Sequence, residues 1–331
     1  MDSFEGRLAV VTGGGTGMGR ELTRLLAADG CSVAICDVAE DTMAETKVLA
    51  EQGAPAGTVV TTHVADVADG EQMVAFAAAV ADAHATDHIH LLFNNAGIGG
   101  GGSFVADGRD EWDKTFGVCW GGVYNGLRAF LPMLLAAPEG HVVNTSSING
   151  FWASLGPNMP HTAYSAAKFA VKGFTEALIT DFRVNAPHLR ASVVMPGHIG
   201  TEIVHSSFRE HGRHPKEMTE EQLEQIRKDM GSRGIDLSGA SDEDIRNGLI
   251  MQADMFRDLA PTSAEQAAQI ILDGVRAGEW RILVGDDAGV LDRLVREHPG
   301  EAYEASFVDR LRDAGMGGGL LMLSQGAAGA T

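Results

Sequence analysis

The chain has 331 residues, enough for one large α/β domain or two small ones, and its 44% hydrophobic content is sufficient for a packed core. Its 45 acidic and 25 basic residues give a net charge of −20, which opposes binding to phosphate backbones and to anionic membrane surfaces. The composition excludes a disordered or fibrous chain and argues against a nucleic-acid partner.

Short apolar runs alternate with longer segments of helical period between residues 7 and 195. This alternation predicts an α/β fold with a doubly wound, mostly parallel sheet of about seven strands and helices on both faces. The first six predicted strands span residues 8–12, 32–36, 59–63, 89–94, 141–146 and 189–195. The predicted helices lie near residues 18–29, 40–52, 70–84, 111–135 and 163–185.

The pattern changes after Pro196, because residues 202–260 are polar, charged and poor in strand signals. Acidic segments follow Thr219 and Ser241, as is typical of helix N-termini. We therefore expect a helical insert over the sheet, placed before the last strand.

A capped helix at residues 261–277 and a seventh strand at residues 281–285 are predicted after the insert. We assign residues 1–300 to a single domain and residues 301–331 to a C-terminal extension. Its glycine-rich tail, from about Gly315, is expected to be frayed, or else docked on a neighbouring subunit through residues 320–323.

The three cysteines, Cys31, Cys36 and Cys119, show neither C-x-x-C spacing nor a cluster with histidines at metal-ligand spacing. We expect no metal site and a reducing, cytoplasmic environment. The N-terminal MDSFEGR has no apolar signal segment, and no stretch approaches the roughly 18–20 apolar residues of a membrane span. We therefore expect a soluble protein with no membrane partner.

Glycines are concentrated where the first predicted strand meets the first helix, in the segment TGGGTGMG of residues 12–19. Glycine lets a phosphate approach the backbone, and a helix N-terminus offers free N–H groups and a positive dipole. The turn therefore predicts a dinucleotide site, although a tight turn alone would explain some of the glycines. The residues assigned to this site are Gly13, Gly15, Thr16, Gly17, Met18 and Gly19.

Asp37 stands at the end of the second strand, where a carboxylate accepts hydrogen bonds from the adenosine ribose hydroxyls. A 2′-phosphate would meet its negative charge, and Thr16 is not the basic residue that would help to hold one. We therefore predict NAD as the cofactor. Asp66 and Val67, after the third strand, are predicted to meet the adenine ring, although helix capping explains Asp66 almost as well.

Tyr164 and Lys168 are four residues apart in a helical segment, so both side chains project from one face. An ammonium near a phenol stabilises the phenolate, which predicts a lowered pKa for Tyr164 and an acid or base usable near neutral pH.

Five motifs occur in the order and approximate spacing of the short-chain dehydrogenase/reductase family, which this chain resembles over about residues 5–203 and again near residues 262–285. The motifs are TGxxxGxG at residues 12–19, NNAG at 94–97, Ser146-Ser147, Tyr164-x-x-x-Lys168 and PGxIxT at 196–201. The resemblance implies a Rossmann fold and oxidoreductase activity with a nicotinamide cofactor.

The resemblance also implies roles for individual residues. Tyr164 is expected to be the catalytic acid/base, Lys168 its pKa modulator and a ligand of the nicotinamide ribose, and Ser147 the hydroxyl that holds the substrate oxygen. The other positions implied at the cofactor are Asn94, Ala96 and Gly97, in the segment that lines the site, and Pro196, Gly197, Ile199 and Thr201, in the turn beside the nicotinamide carboxamide.

The chain departs from the family at Cys119, where an asparagine usually supports a proton relay through water to the active-site lysine. A thiol is a poor hydrogen-bond partner, so either the change is tolerated or the activity is altered or lost. Asn125 lies nearly opposite on the helix and is not expected to substitute.

Ser147 also precedes Tyr164 by a few more residues than is usual in the family, and the segment 151–159 fills the gap. We expect this loop to border the substrate, with Phe151 and Trp152 in contact with it beside Ser147 and Tyr164, although packing explains either aromatic residue equally well. His161 and His198 are further candidates for substrate contact, but packing histidines are the commoner case.

Together these features predict an NAD-dependent oxidoreductase that interconverts a secondary alcohol and a ketone, on an apolar, aromatic or alicyclic small molecule. The alternatives are an NADP-linked reductase or an epimerase of the same family, or a cofactor-binding protein with little turnover. The helices at residues 111–135 and 163–185 resemble those through which family members pair, so we expect a homodimer or homotetramer. The insert is hypothesised to be a lid over the substrate.

Overall fold

The computed structural model describes residues 3–156, 159–232 and 235–316. The predicted tail beyond residue 316, with its candidate docking segment 320–323, lies outside the described residues, as do Pro157 and Asn158 of the predicted substrate loop. Every residue to which a site role is assigned above is described.

Nine strands and twelve α-helices occur in these ranges. The strands are β1 (Leu8–Thr12), β2 (Ser32–Asp37), β3 (Val60–Val64), β4 (Leu91–Asn94), β5 (Gly140–Thr145), β6 (Leu189–Pro196), β7 (Ile199–Gly200), β8 (Thr262–Ser263) and β9 (Arg281–Val284). The helices are α1 (Gly17–Ala28), α2 (Glu40–Gly53), α3 (Gly70–Ala83), α4 (Arg109–Phe116), α5 (Gly122–Ala136), α6 (Thr162–Asn185), α7 (Ile203–Glu210), α8 (Glu220–Ser232), α9 (Asp242–Asp258), α10 (Ala264–Ala277), α11 (Asp286–Glu297) and α12 (Phe307–Asp313).

Seven strands form one parallel sheet in the order β3-β2-β1-β4-β5-β6-β9. The chain builds outward from β1 to β3, then returns to place β4 on the other side of β1. The carboxyl ends of β1 and β4 therefore flank a switch point, where open α/β sheets leave a crevice for ligands. The predicted doubly wound α/β fold of Rossmann type is confirmed.

The core lies on both faces of this sheet. On one face Val10 packs with Phe130 and Leu134 of α5, and on the other Val11 packs with Leu22 of α1 and with helix α10. Every residue of β1 is buried because helices cover both faces, which explains its uninterrupted apolar run.

One predicted helix, at residues 111–135, is divided in the structure. Helix α4 ends at Phe116, a π-helical turn spans Gly117–Gly121, and α5 follows without a break in direction. The turn brings Cys119 into the interior, where it is fully buried.

The predicted helical insert contains α7, α8 and α9. A capping box at Ser241 and Asp244 starts α9, and Met218, Leu223 and Ile245 form a small core of the insert. The two-residue strands β7 and β8, which sequence analysis did not predict, pair in parallel and hold the ends of the insert together.

Helices α11 and α12 follow the last strand and were also not predicted. Together with Ile148 and Trp152 they form a third apolar cluster, which includes Leu291, Phe307 and Leu311. The described part of the C-terminal extension is thus packed on the domain. Among the described residues no helix is long and apolar enough to cross a membrane.

Candidate active site

The glycine-rich turn lies at the carboxyl end of β1, where α1 begins. Gly13 and Gly17 have positive φ angles of 65° and 53°, a conformation that favours glycine. A Cβ at Gly19 would collide with the Gly13 carbonyl. Thr16 precedes α1 without a side-chain cap, which leaves the backbone N–H groups of the first turn available to an anion.

Asp37 reaches this turn from the end of β2. Its Oδ2 accepts a hydrogen bond from the Gly15 N–H at 3.0 Å, and its Oδ1 accepts one from the Val38 N–H at 2.8 Å. A Cβ at Gly15 would lie 2.9 Å from Asp37 Oδ2. The Asp37 carboxylate and the glycine-rich turn are therefore in direct contact and form one site.

Arg20, the basic residue nearest the turn, is already engaged. Its Nη2 donates to the Gly15 carbonyl at 2.9 Å and pairs with the Glu45 carboxylate at 2.7 Å. Its Nε also donates to Thr46 Oγ1. Its charge is thus balanced on the α2 side of the turn.

Asp66 and Val67 follow β3. Asp66 Oδ1 accepts the Ala68 N–H at 2.9 Å, which stabilises the turn before α3, and Val67 is buried with its carbonyl bonded by Asn125 Nδ2 at 2.9 Å. Asn125 thus faces the β3 turn and not the lysine, in agreement with its exclusion as a substitute for the relay asparagine. The predicted contacts of Asp66 and Val67 with adenine stay predictions.

The segment after β4 is held against β1. Thr12 Oγ1 accepts the N–H groups of Asn95 and Ala96 at 3.0 and 3.1 Å, and Asn94 Nδ2 donates to Asn144 Oδ1 at 2.8 Å. Asn94 therefore ties β4 to β5, and Ala96 and Gly97 follow at the crevice. Sequence analysis missed the part played by Asn95, whose side chain donates to the Thr12 carbonyl at 3.1 Å.

Ser147, Tyr164 and Lys168 come together at the carboxyl ends of β5 and β6. Lys168 is buried, its Nζ donates to the Thr145 carbonyl at 2.9 Å, and it lies 5.3 Å from the centroid of the Tyr164 ring. Ser147 is hydrogen-bonded to Tyr164 and accepts the Asn149 N–H at 3.1 Å. A hydroxyl, a phenol and an ammonium therefore converge in one pocket, an arrangement suited to proton transfer.

Burial sets the electrostatics of this group. It raises the pKa of Tyr164 above its ordinary value, the neighbouring Cys119 adds to the rise, and the hydrogen bond with Ser147 opposes it. Burial likewise lowers the pKa of Lys168. The lowered pKa predicted for Tyr164 from its spacing to Lys168 is therefore wrong for this protein without cofactor, because removal of the phenolate from water outweighs the nearby ammonium.

Cys119 lies beside Lys168, as its family position implies. Its Sγ donates to the Ile98 carbonyl at 3.2 Å, and a Cβ on Gly97 would lie 3.4 Å from Lys168 Nζ and 3.7 Å from Cys119 Sγ. A thiol thus stands where the family places an amide, at the inner end of the pocket.

The turn Pro196–Thr201 follows β6 and reaches back to α1. The Gly197 N–H bonds the Val284 carbonyl at 2.9 Å, and a Cβ on Gly17 would lie 3.1 Å from Thr201 Cβ. Ile199 is buried in β7. These contacts place the turn along the same crevice as the glycine loop.

Asp287, on the first turn of α11, also holds this turn, and sequence analysis missed it. Its Oδ2 accepts the His198 N–H at 2.6 Å, and a Cβ on Gly197 would collide with its carboxylate. Burial raises the pKa of Asp287. No local signal reveals this contact, because the two residues are 89 positions apart.

The residues predicted to touch substrate have different surroundings. Trp152 is 2% exposed, and its Nε1 donates to the Ala302 carbonyl at 2.7 Å, whereas Phe151 is half-buried with the Arg281 guanidinium 5.9 Å from its ring centroid. Both aromatic rings thus have packing contacts, and their contact with substrate stays a prediction. His198 is buried, with Nε2 bonded to the Phe256 carbonyl at 2.7 Å.

His161 lies against Tyr164. The ring centroids of His161 and Tyr164 are 4.7 Å apart, and burial lowers the pKa of His161 to about 4. A neutral imidazole therefore packs against the Tyr164 ring at physiological pH, with the two ring planes tilted by 32°.

The insert contacts the loop that follows β4. Ser207 Oγ accepts the Gly99 N–H at 2.7 Å, and His211 Nε2 donates to the Gly99 carbonyl at 2.8 Å. Glu111 accepts the Gly101 N–H at 3.1 Å and pairs with Arg213 at 2.7 Å. Helix α7 and the residues after it therefore cover one side of the pocket.

Several known proteins are similar to this chain in sequence. A family model described as short chain dehydrogenase matches residues 7–212. The chain is 34% identical over 297 residues to the oxidoreductase SadH of Mycobacterium tuberculosis, covering 89% of this chain and 92% of SadH.

Solved structures are similar as well. A short-chain dehydrogenase/reductase from Burkholderia phymatum, in complex with NAD, is 29% identical with a TM-score of 0.72 and covers 91% of this chain and 96% of that one. A metagenomic short-chain oxidoreductase in complex with NADP is 31% identical with a TM-score of 0.52, covering 59% of this chain and 83% of that one.

Proposed function

Because the chain belongs to the short-chain dehydrogenase family, a family of nicotinamide-dependent oxidoreductases, we propose that it is an NAD-dependent enzyme that interconverts a secondary alcohol and a ketone. The observation that carries the proposal is the convergence of Ser147, Tyr164 and Lys168 beside the glycine turn at the switch point of the sheet.

The preference for NAD rests on Asp37 and Arg20. The similar structures include complexes with NAD and with NADP, so the cofactor follows from the residues of this chain. The Asp37 carboxylate stands at the turn, ready to accept from ribose hydroxyls and to repel a 2′-phosphate. Arg20 is paired with Glu45 and so offers no free charge to such a phosphate.

The site formed by the glycine-rich turn and Asp37 fits a dinucleotide. A Cβ at Gly15 would overlap Thr42 and Asp37, and one at Gly19 would overlap the Gly13 carbonyl, so glycine at both positions keeps the backbone of the turn close to the first turn of α1, where a pyrophosphate binds in this fold. Asn94, Ala96, Gly97 and the turn Pro196–Thr201 would line the nicotinamide half. When bound, the nicotinamide supplies a hydride acceptor or donor at its C4.

In the oxidation direction, Tyr164 Oη accepts the proton of the alcohol, and Ser147 Oγ holds the substrate oxygen on which charge changes. Lys168 places positive charge 5.3 Å from the centroid of the phenol ring, and together with the positive charge of a bound nicotinamide it would offset the effect of burial and favour the phenolate; it would also hold the nicotinamide ribose. In the reduction direction Tyr164 returns the proton to the carbonyl oxygen.

The proposed substrate is an apolar, aromatic or alicyclic small molecule. This proposal rests on Phe151, four residues after Ser147 in the chain, and on the apolar residues of the insert, which is proposed to act as a lid. Hydrogen exchange should slow within residues 202–258 when NAD and substrate bind together. If exchange there is unchanged, the insert is purely structural.

A cofactor-binding protein with little turnover is the second candidate, because Cys119 stands beside Lys168 in place of the relay asparagine. A screen of secondary alcohols and ketones with NAD(H) and NADP(H), followed at 340 nm, separates the two. Turnover with NAD(H) supports the enzyme, whereas tight NADH binding without turnover on any substrate of the screen supports the second candidate.

We also propose a homodimer or homotetramer that pairs through α5 and α6. Tyr124 of α5 and Phe169 of α6 are each 42% exposed and offer aromatic surface to a second copy of the chain. Light scattering at micromolar concentration tests the proposal, and a monomer would contradict it.

A further inference from the structure

A cavity of about 380 Å³ opens beside the start of α1. Thr16 and Gly17 of the glycine turn line one side, and Thr201 of the turn after β6 lines another. The insert closes the cavity with Arg209 of α7 and Arg257 of α9. The cavity therefore connects the proposed phosphate site to the insert.

The charges of this cavity are balanced except at one position. Three carboxylates line it, and each is paired: Glu45 with Arg20, Glu21 with Arg24, and Glu202 with Arg257. Arg209 has no ion pair among the described residues, and its Nη2 donates only to Ser206 Oγ at 3.2 Å. An unpaired guanidinium and the N-terminus of α1 thus line the same cavity, where a bound anion would supply the matching charge.

The segment that carries Arg209 also reaches the catalytic pocket. Ser207 and His211, on either side of Arg209, bond the backbone of Gly99. A few residues further on, the Gly101 carbonyl accepts the Ala163 N–H at 3.0 Å at the start of α6, next to Tyr164. The position of Arg209 is therefore connected to the loop that lines the reacting groups.

We infer that Arg209 is a binding residue for the diphosphate of the dinucleotide, and that this contact holds α7 closed over the pocket. The inference rests on the proposed cofactor and deepens it. Arg209 is exposed at the rim, so it moves onto the diphosphate without breaking another ion pair. In a chain of net charge −20 this local positive charge offsets the repulsion of an anionic ligand.

The test compares Arg209→Gln with the wild-type chain for NADH, ADP-ribose and adenosine, with NADH followed by its fluorescence and the other two by displacement of NADH. We expect about tenfold weaker binding of NADH and ADP-ribose, as for the loss of one charge-assisted hydrogen bond, and unchanged binding of adenosine, which has no phosphate. The remaining affinity should depend less on ionic strength, and Arg209→Lys should lose less than Arg209→Gln.

Arg213→Gln is the matched control, because Arg213 lies on the same segment but pairs with Glu111 outside the cavity. It should leave all three affinities within about twofold. Hydrogen exchange adds a second measurement: ADP-ribose should slow exchange at residues 203–213 in the wild-type chain and not in Arg209→Gln.

Equal affinities in Arg209→Gln and the wild-type chain would overturn the inference alone, and so would equal losses in Arg209→Gln and Arg213→Gln. A loss for adenosine as large as that for ADP-ribose would also overturn it. A wild-type chain that binds neither NADH nor ADP-ribose would overturn the proposed function together with the inference.

Discussion

Lys168 lies one helical turn beyond Tyr164, 5.3 Å from the centroid of its ring, but donates its hydrogen bond to the Thr145 carbonyl at 2.9 Å. The ammonium is thus anchored to β5 and acts on the phenol through its charge. Ser146 Oγ adds a bond to the Lys168 carbonyl at 2.7 Å, which fixes this turn of α6 to the sheet. The relative position of the two side chains is therefore set by the carboxyl end of β5 as well as by helix α6.

Tyr164→Phe should separate catalysis from binding. The change removes one hydroxyl and keeps the ring, so we expect turnover to fall by roughly 10²–10⁴ while NADH affinity changes little. Steady-state kinetics and NADH fluorescence measure the two quantities. Tyr124→Phe, at a residue 42% exposed on α5, is the control and should keep full activity. Turnover that survives in Tyr164→Phe would refute the mechanism.

Asp37→Ala should narrow the difference in affinity between NADH and NADPH. The variant loses the acceptor for the ribose hydroxyls and the charge that repels a 2′-phosphate, so we expect about tenfold weaker NADH binding and stronger NADPH binding. Asp41→Ala removes an exposed carboxylate at the start of α2 and serves as the control. Equal affinities for both cofactors in the wild-type chain would exclude the assigned role of Asp37.

Cys119→Asn should raise turnover or broaden its pH range, because the amide restores the partner that a water relay to Lys168 needs. Cys119→Ser is the matched control, since a hydroxyl keeps the bond to the Ile98 carbonyl but adds no amide. Both variants are compared by pH–rate profiles after thermal melts show that they fold. A folded Cys119→Asn variant with an unchanged profile would mean that the thiol does not limit the rate.

Trp152→Phe should lower stability and leave KM unchanged. The substitution removes the bond to the Ala302 carbonyl in a buried site, which costs about 1–3 kcal/mol. Denaturant unfolding measures this loss, and Trp280→Phe, at a residue 47% exposed, should unfold like the wild type. A large change in KM without loss of stability would instead assign Trp152 to the substrate.

Two buried histidines should make the fold sensitive to acid. Burial lowers the pKa of His141 to about 3 and that of His90 to about 4, from 6.5 in the unfolded chain. Between pH 6.5 and 4 these histidines therefore bind more protons in the unfolded chain than in the folded one. The free energy of unfolding is highest above pH 6.5 and falls as the pH is lowered, by up to about 1.4 kcal/mol per pH unit for each group.

Urea unfolding at pH 7, 6, 5 and 4 measures this slope. His141→Gln removes one of these titrating groups and should make the slope shallower. Identical slopes in the two proteins would show that His141 does not stay neutral in the folded state.

Local patterns were sufficient for much of the fold. The seven strands of the sheet were predicted because apolar runs flanked by turns occupy consecutive positions, and α6 was predicted because its period places Tyr164 and Lys168 on one face. The glycine turn was recognised because its residues are neighbours in the chain. The strand ends differed by only one or two residues, since fraying at the ends depends on the neighbouring strands.

Local patterns were not sufficient where distant segments meet. Sequence analysis predicted one helix at residues 111–135, but a π-helical turn divides it and buries Cys119 beside Lys168. It also gave no sign that the Trp152 indole bonds the Ala302 carbonyl, because the two residues are 150 positions apart.

The sequence by itself determined the order of the seven strands of the sheet, the glycine turn, and the placement of Tyr164 and Lys168 on one face of α6, because each depends on residues close together in the chain. The tertiary structure decided that Asp287 holds the turn after β6, that Arg209 lines the cavity at α1, and that the pKa of Tyr164 is raised and not lowered. These three features depend on burial and on which distant groups become neighbours. The free energy of a charged group is set by its solvent exposure and by the groups around it, and the spacing of residues along the chain does not predict either.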